Sequence, residues 1–331
     1  MKKRVVSGIQ PSGTMHLGNY LGAIKNWLPL QSQHDCLFFL ADLHTITVPQ
    51  DPKELQRNII NTAATYLATG LDPNQVTLFS QSAVIEHAEL GWILGCMTSM
   101  GWLERMTQFK DKAGSDKERA SLGLFSYPVL QSADILIYKA DLVPVGEDQR
   151  QHLELARDIA ASFNRNTNSN YFKLPEAMIM KTAARIMNLR DGTKKMSKSD
   201  PSDLSRINLI DDADLIMQKI KKAKSDSIAE IFYDKENRPE ISNLIDIYAH
   251  LTTKSIAEIV DQYQGKLSGQ FKQELADILI EKITPIGKKI KSLCLNDETY
   301  IRQILAQGAE KASAITKHNI KEIKELCGFI I

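Results

Sequence analysis

Cysteine is scarce in this chain of 331 residues: only Cys36, Cys96, Cys294 and Cys327. No two stand at C-x-x-C spacing, so neither a zinc knuckle nor an iron–sulfur site is indicated, and no metal site is expected. Four scattered thiols suit a reducing cytosol better than a disulfide framework. An excess of charge is missing too. Forty-one Lys and Arg against forty Asp and Glu leave a net +1. That excludes a uniformly basic nucleic-acid binder and leaves only local patches for such contact. No apolar run is long enough to span a bilayer, so no membrane partner is expected. The opening Met1-Lys2-Lys3-Arg4-Val5-Val6-Ser7-Gly8 is charged but leads into no long apolar stretch. It is not a signal peptide, and a cytoplasmic location is expected. Internal repeats and low-complexity tracts are absent. What remains is an ordinary soluble composition, long enough for two domains and a sizeable core.

The first half alternates short apolar runs with helical patterns. Arg4–Ser7 reads as a buried strand. Gly18 to Leu30 carries Leu21, Ile24, Trp27 and Leu28 at helical spacing, and Cys36–Leu40 (CLFFL) reads as a second strand. Strand, helix, strand is a βαβ unit, and right-handed crossovers then favour a parallel, doubly wound sheet. Asp51-Pro52-Lys53-Glu54 is a helix start, with Asp51 as cap and Pro52 at the first position, and Gly70 is its stop. Val76–Phe79 and Asp141–Val145 read as further strands. The latter leads into a helix whose inner face is Leu153, Ala156, Ile159, Ala160 and Phe163. Between these strands lies an apolar segment, Leu90–Met106, read as helical and inserted; by pattern alone it is either an interface or an ordinary core element. Beyond Lys198 helical patterns take over, at Asn243–Leu251, Ile256–Tyr263, Phe271–Leu293 and Tyr300–Cys327, with polar Ser225–Glu240 as a connection. The expected architecture is an α/β Rossmann-type doubly wound parallel sheet in residues 1–195, carrying inserted helices at about 85–125. Residues 196–331 form a loop and a helical domain whose last helix is a candidate to pack back on the first.

Two strings carry the chemistry. Pro11-Ser12-Gly13-Thr14-Met15-His16-Leu17-Gly18-Asn19 occupies the first strand-to-helix turn. In a parallel sheet such a turn offers free amides and a helix N-terminus to anions. Gly8, Gly13 and Gly18 permit close backbone approach there. About 180 residues later stands Lys195-Met196-Ser197-Lys198-Ser199, two ammonium groups around small hydroxyl residues on a Gly/Thr/Ser loop. Movable cations of this kind can offset charge that builds on phosphoryl oxygens.

Together and in this order the two strings resemble the HIGH and KMSKS signatures of class I aminoacyl-tRNA synthetases, with Asn19 in place of the final His. Gly8–Gly13, Glu104–Lys110 (ERMTQFK), Val143–Gln149 (VPVGEDQ) and Gly308–Ala312 extend the likeness to bacterial tryptophanyl-tRNA synthetases over essentially the whole chain. The resemblance implies ATP and L-tryptophan as substrates, Mg2+ with the ATP, tRNA(Trp) as acceptor, and a homodimer built through the 85–125 insertion. It implies a tryptophan pocket of Ser7, His44, Gln108, Tyr127 and Asp134. Asp134 would accept the indole N–H, a group that can only donate. It implies a nucleotide site of Gln10, Pro11, Ser12, Gly18, Asn19, Gly146, Glu147, Asp148, Ile186, Lys195, Met196, Ser197, Lys198 and Ser199. Gly18 would lie under the adenine and His16 would face the triphosphate. His16, Lys195 and Lys198 are thus the expected catalytic groups. Two departures stand out: Gln131 where many relatives have Met, and Val6 where some have Phe. A buried Gln131 needs a polar partner. Tyrosyl-tRNA synthetases, the nearest relatives, usually carry a loop closer to KFGKS, which speaks against them.

The C-terminal helices are implied to read the anticodon. Lys219, Lys221, Lys222 and Lys224 form one basic cluster and Lys288, Lys289 and Lys291 another; either could touch phosphates or merely be solvated. Two other readings stay in view. A small-molecule nucleotidyltransferase shares the first turn but lacks the long helical region after Ser199. A binding-only paralogue commonly loses His16 or the lysine pair, and both are present here.

Overall fold

The structure, a computed structural model, describes residues 2–106, 121–146, 149–179 and 185–330. Five parallel strands form one sheet: β1 Arg4–Ile9, β2 Asp35–Leu40, β3 Val76–Ser80, β4 Leu142–Val145 and β5 Glu176–Ile179. Their order is β3-β2-β1-β4-β5. The chain runs outward from β1 through β2 to β3, then returns to lay β4 against the other side of β1. That reversal opens a crevice at the carboxyl ends of β1 and β4, where such sheets bind ligands. This is the expected doubly wound sheet with a helical C-terminal region. Strand β5 carried no signal: its short, largely exposed EAMI run lies at the sheet edge, where no continuous buried pattern is required.

Strand β2 is continuous apolar sequence because it is covered on both faces. On one side Trp27 stacks on Phe38 at 4.5 Å and meets the Tyr66 ring edge-on. The helix Pro52–Thr69 starts where Asp51 Oδ1 accepts from the amides of Lys53 and Glu54, both at 2.9 Å, and ends at Gly70 with φ +110°. The expected uniform helix after the first motif is instead composite. Leu17–Asn19 is α-helical, Tyr20–Ile24 is a π-turn, and Lys25–Trp27 is α-helical again. Apolar periodicity alone does not separate α from π over so short a stretch. The buried Asn26 side chain, donating to the Leu21 carbonyl at 3.1 Å, ties the widened turn together.

The Leu90–Met106 stretch divides into helices Glu86–Gly95 and Met100–Glu104, followed after the undescribed 107–120 by Leu122–Leu136. Their inner faces pack on the sheet through Leu90, Ile93, Leu94 and Leu103, while Ile85, Trp92, Met100 and Leu122 are exposed. C-terminal helices run Pro239–Leu251, Ile256–Gln262, Ser268–Asn296 and Glu298–Leu326. A further helix, Ala213–Lys222, was not expected. It corrects the reading of Lys219 as a surface lysine, whether phosphate-contacting or solvated. Lys219 is fully buried, and its ammonium bonds Asp211 at 2.6 Å and Asp203 at 2.7 Å. Lys224 pairs with Glu240 at 2.7 Å. The long helix Glu298–Leu326 crosses β3 so closely that a Cβ on Gly308 would lie 1.8 Å from the Leu78 carbonyl oxygen.

Candidate active site

The first motif leaves β1 at Gln10 and turns into the composite helix. His16 caps that helix: its amide donates to Asn19 Oδ1 at 3.1 Å. The second motif closes a hairpin. Met187 bridges Lys195, the Met196 amide donates to the Ile186 carbonyl at 3.0 Å, and Asp191 Oδ1 accepts from the amide and hydroxyl of Thr193 at the tip. The chain beyond this hairpin then pairs with the first motif. Leu17 N donates to the Ile207 carbonyl at 2.8 Å, Leu209 N to the Met15 carbonyl at 2.9 Å, and His16 bridges Asn208.

Two strings far apart in sequence therefore meet. The Met196 side chain is buried against the first turn: a Cβ placed on Gly18 would lie 3.6 Å from Met196 Cβ and 3.0 Å from His16 Cε1. Lys198 Nζ donates to the Gln10 carbonyl at 3.4 Å. Ser197 and Ser199 hydroxyls bond each other at 2.8 Å. Lys195 projects to the surface. Electrostatics follow from this closeness. Burial, reinforced by Lys198, Arg206 and Lys195, pushes His16 down to about 3, so its imidazole is neutral and keeps one N–H to donate. Burial pushes Lys198 down to about 8. Arg206 and Asn208 had no motif to announce them. They reach the site by strand pairing after the second motif, which no local pattern encodes.

On the other side of β1 lies a buried polar cluster centred on Asp134, 1% exposed. Its Oδ2 accepts from His44 Nε2 at 2.7 Å. Its Oδ1 accepts from Gln81 Nε2 at 2.6 Å and His87 Nδ1 at 2.7 Å. Burial alone would raise this carboxyl, but the charge and hydrogen bond of His44 and the bond from His87 outweigh it and hold it below the usual carboxylate range. His44 follows β2 and Gln81 follows β3, so both sit at carboxyl ends of strands. The His44 ring meets Tyr127 edge-on at 6.2 Å. The Tyr127 hydroxyl lies 3.0 Å from His152 Nε2, and burial pushes the phenol up to about 12. Gln131 donates to Gln149 Oε1 at 3.4 Å, which supplies the polar partner its half-buried amide needs.

Of the residues singled out from sequence, Gln10, Pro11, Ser12, His16, Gly18, Asn19, Ile186, Met196, Ser197, Lys198 and Ser199 stand on these two facing segments, with Lys195 at the rim. Ser7 lies within β1, three residues before Gln10, and Gly146 follows β4. His44, Tyr127 and Asp134 gather in the second cluster. Gln108, Glu147 and Asp148 lie outside the described residues. Gln81, His87 and Tyr138 escaped sequence reading: a Gln after a strand and a His and a Tyr in helical surroundings carry no spacing signal. Among the described residues no group of three or more His, Cys, Asp or Glu could hold a metal ion, and no helix is long and apolar enough to cross a membrane.

Comparison with known proteins identifies the family. Residues 1–283 match the family described as tRNA synthetases class I (W and Y). The tryptophan–tRNA ligase of Rickettsia bellii is 59% identical over 331 residues, covering all of both chains. A tryptophanyl-tRNA synthetase structure from Mycoplasma pneumoniae superposes with a TM-score of 0.90 at 34% identity, over 100% of this chain and 99% of that one. One from Campylobacter jejuni, complexed with ADP and tryptophan, does so at 0.83 and 36%, over 98% and 100%. With matches of that identity over its whole length, the chain belongs to the tRNA synthetases class I (W and Y) family, among the bacterial tryptophanyl-tRNA synthetases.

Proposed function

We propose that the facing motifs and the Asp134 cluster are the working parts of a tryptophan–tRNA ligase. The tryptophan carboxylate attacks the α-phosphorus of ATP, the α–β phosphoanhydride breaks, and pyrophosphate leaves. The terminal ribose hydroxyl of tRNA(Trp) then takes the acyl group and AMP leaves. The single observation that carries the site assignment is the meeting of His16, Gly18 and Gln10 with Met196 and Lys198. It sets a neutral N–H donor and a movable ammonium over a turn built for phosphates. Lys195, exposed and close enough for its charge to lower the His16 pKa, joins Lys198 in stabilising the leaving pyrophosphate. ATP enters as its Mg2+ complex. The ion travels on the substrate's phosphates, as is usual for Mg2+, and the Lys and His groups here are no ligands for it. No side chain is required as a general base when positioning and charge stabilisation carry the rate.

In the tryptophan pocket Asp134 accepts the indole N–H, with Ser7, His44 and Tyr127 around it and Gln108 completing it. Gln10, Pro11, Ser12, Gly18, Asn19, Gly146, Ile186 and Met196–Ser199, with Glu147 and Asp148, hold the nucleotide. Residues 1–195 form the catalytic unit; 196–331 form the loop and the anticodon-reading helices, where exposed Lys221, Lys222, Lys288, Lys289 and Lys291 offer phosphate contacts. Two copies associate through the 85–125 segment, where Trp92 and Leu122 are 77% and 79% exposed. The work is done in the cytoplasm, where tRNA is charged. The test is ATP–pyrophosphate exchange with tryptophan, with tyrosine, and with no amino acid. Exchange is expected with tryptophan alone and is expected to vanish in Asp134→Ala. Unimpaired tryptophan activation by Asp134→Ala would overturn the pocket assignment.

A further inference from the structure

The hydrogen bonds around Asp134 divide unequally between its two oxygens. An ionised carboxylate offers about four lone-pair positions, two on each oxygen. Oδ1 is filled by Gln81 and His87, whereas Oδ2 has His44 alone among the described residues. His87 is in turn held from behind: its Nε2 lies 2.7 Å from the Tyr138 hydroxyl. A carboxylate cannot donate, so His87 Nδ1 carries the proton toward Asp134. Burial first, and then the charges of Asp134 and Glu86, push the Tyr138 phenol far above its ordinary range, so it stays a hydroxyl and can donate to Nε2. Gln81, His87 and Tyr138 are all fully buried, and the His87 ring sits against Phe39, Phe79 and Tyr138 at 5.3–6.0 Å. With both ring nitrogens engaged and aromatic walls around it, the imidazole has little freedom to turn away.

We propose that Gln81 and the Tyr138–His87 pair are positioning residues that saturate Asp134 Oδ1, lock the carboxylate's orientation, and leave one acceptor position on Oδ2 for a ring N–H of the substrate. The inference rests on the reading of Asp134 as the indole acceptor and adds what makes that acceptor selective. A free carboxylate could rotate and offer either oxygen to water or to a differently placed donor. A carboxylate pinned through Oδ1 presents a single lone pair at a fixed place. A substrate without an N–H there leaves that lone pair buried and unmet, which sites of this kind penalise heavily.

The experiment uses the full-length protein and ATP–pyrophosphate exchange with two substrates: tryptophan, and β-(3-benzothienyl)alanine, in which sulfur replaces the indole N–H. The readout is the ratio of kcat/KM for the pair, with the KM for ATP alongside. Wild type is expected to favour tryptophan by about a hundredfold or more. Tyr138→Phe conserves volume and removes only the hydroxyl; it is expected to lower the ratio several-fold, chiefly through the tryptophan KM, with the ATP KM unchanged. Gln81→Leu and His87→Phe should lower it further. His87→Asn, whose amide nitrogen occupies about the place of Nδ1, should recover part of the loss. Were Tyr138→Phe and Gln81→Leu to slow both substrates equally, leaving the ratio at the wild-type value, the positioning role would be overturned while Asp134 stood. Equal use of the two substrates by wild type would overturn the reading of Asp134 itself.

Discussion

Gly18→Ala puts the meeting of the two motifs to a quantitative test. Gly18 sits in the first turn of a helix, where alanine is the better helix former by about 1 kcal/mol. Helix propensity alone therefore predicts a stabler protein. The added methyl, however, would lie 3.0 Å from His16 Cε1, 3.1 Å from His16 Nδ1 and 3.6 Å from Met196 Cβ. The first two contacts are tighter than most side-chain contacts, so the imidazole must give way by a few tenths of an ångström. Overpacking of this size costs about 1–3 kcal/mol, which roughly cancels the helix gain. Stability should change little, and a thermal melt should shift by no more than a few degrees. The rate should respond far more. His16 and Met196 are the points at which the second motif leans on the first, and a misplacement approaching 1 Å at a reacting centre costs on the order of a hundredfold. The assay is tryptophan-dependent ATP–pyrophosphate exchange at saturating tryptophan. A drop of tenfold to a hundredfold in kcat/KM for ATP, with an unchanged melting temperature, is the expected pair of results. Exchange within twofold of wild type would refute the claim that the Gly18–His16–Met196 contact positions the chemistry.

Two further outcomes follow from other contacts. Lys198, pushed down to about 8 by burial, is about half neutral at pH 8. A bound triphosphate favours its charged form, so ATP binding at pH 8 should take up as much as about half a proton, falling toward zero near pH 6.5. Calorimetry in two buffers of different ionisation enthalpy measures this, and Lys198→Arg, permanently charged, should abolish it. Gly308→Ala would drive a methyl into the Leu78 carbonyl at 1.8 Å and lift the Glu298–Leu326 helix from β3. A loss of about 3 kcal/mol or more is expected. At about 2 cal/mol/K per residue this corresponds to a fall in melting temperature of about 4 °C, and an unchanged melt would contradict the close packing.

Some of this protein was legible in its residues because the physics is local. CLFFL must be buried on both faces, Asp51-Pro52 must start a helix, and Gly70 must end one. A Pro-Ser-Gly turn between strand and helix must offer amides to anions. The KMSKS pentapeptide announces its loop by composition alone. The resemblance carried by these strings named the substrates. Other features depend on partners distant in sequence. The π-turn at Tyr20–Ile24 shares its apolar spacing with an α-helix, and edge strand β5 has no buried face to mark it. Lys219 reads as one of a basic cluster until Asp203 and Asp211 are folded around it. Pairing of Ile207–Leu209 with Met15–Leu17 brings Arg206 and Asn208 to His16, though nothing near them in sequence predicts it. The donors around Asp134 come from after β2, after β3 and from a separate helix. Only the parallel sheet, by aligning the carboxyl ends of its strands, could bring them onto one carboxylate.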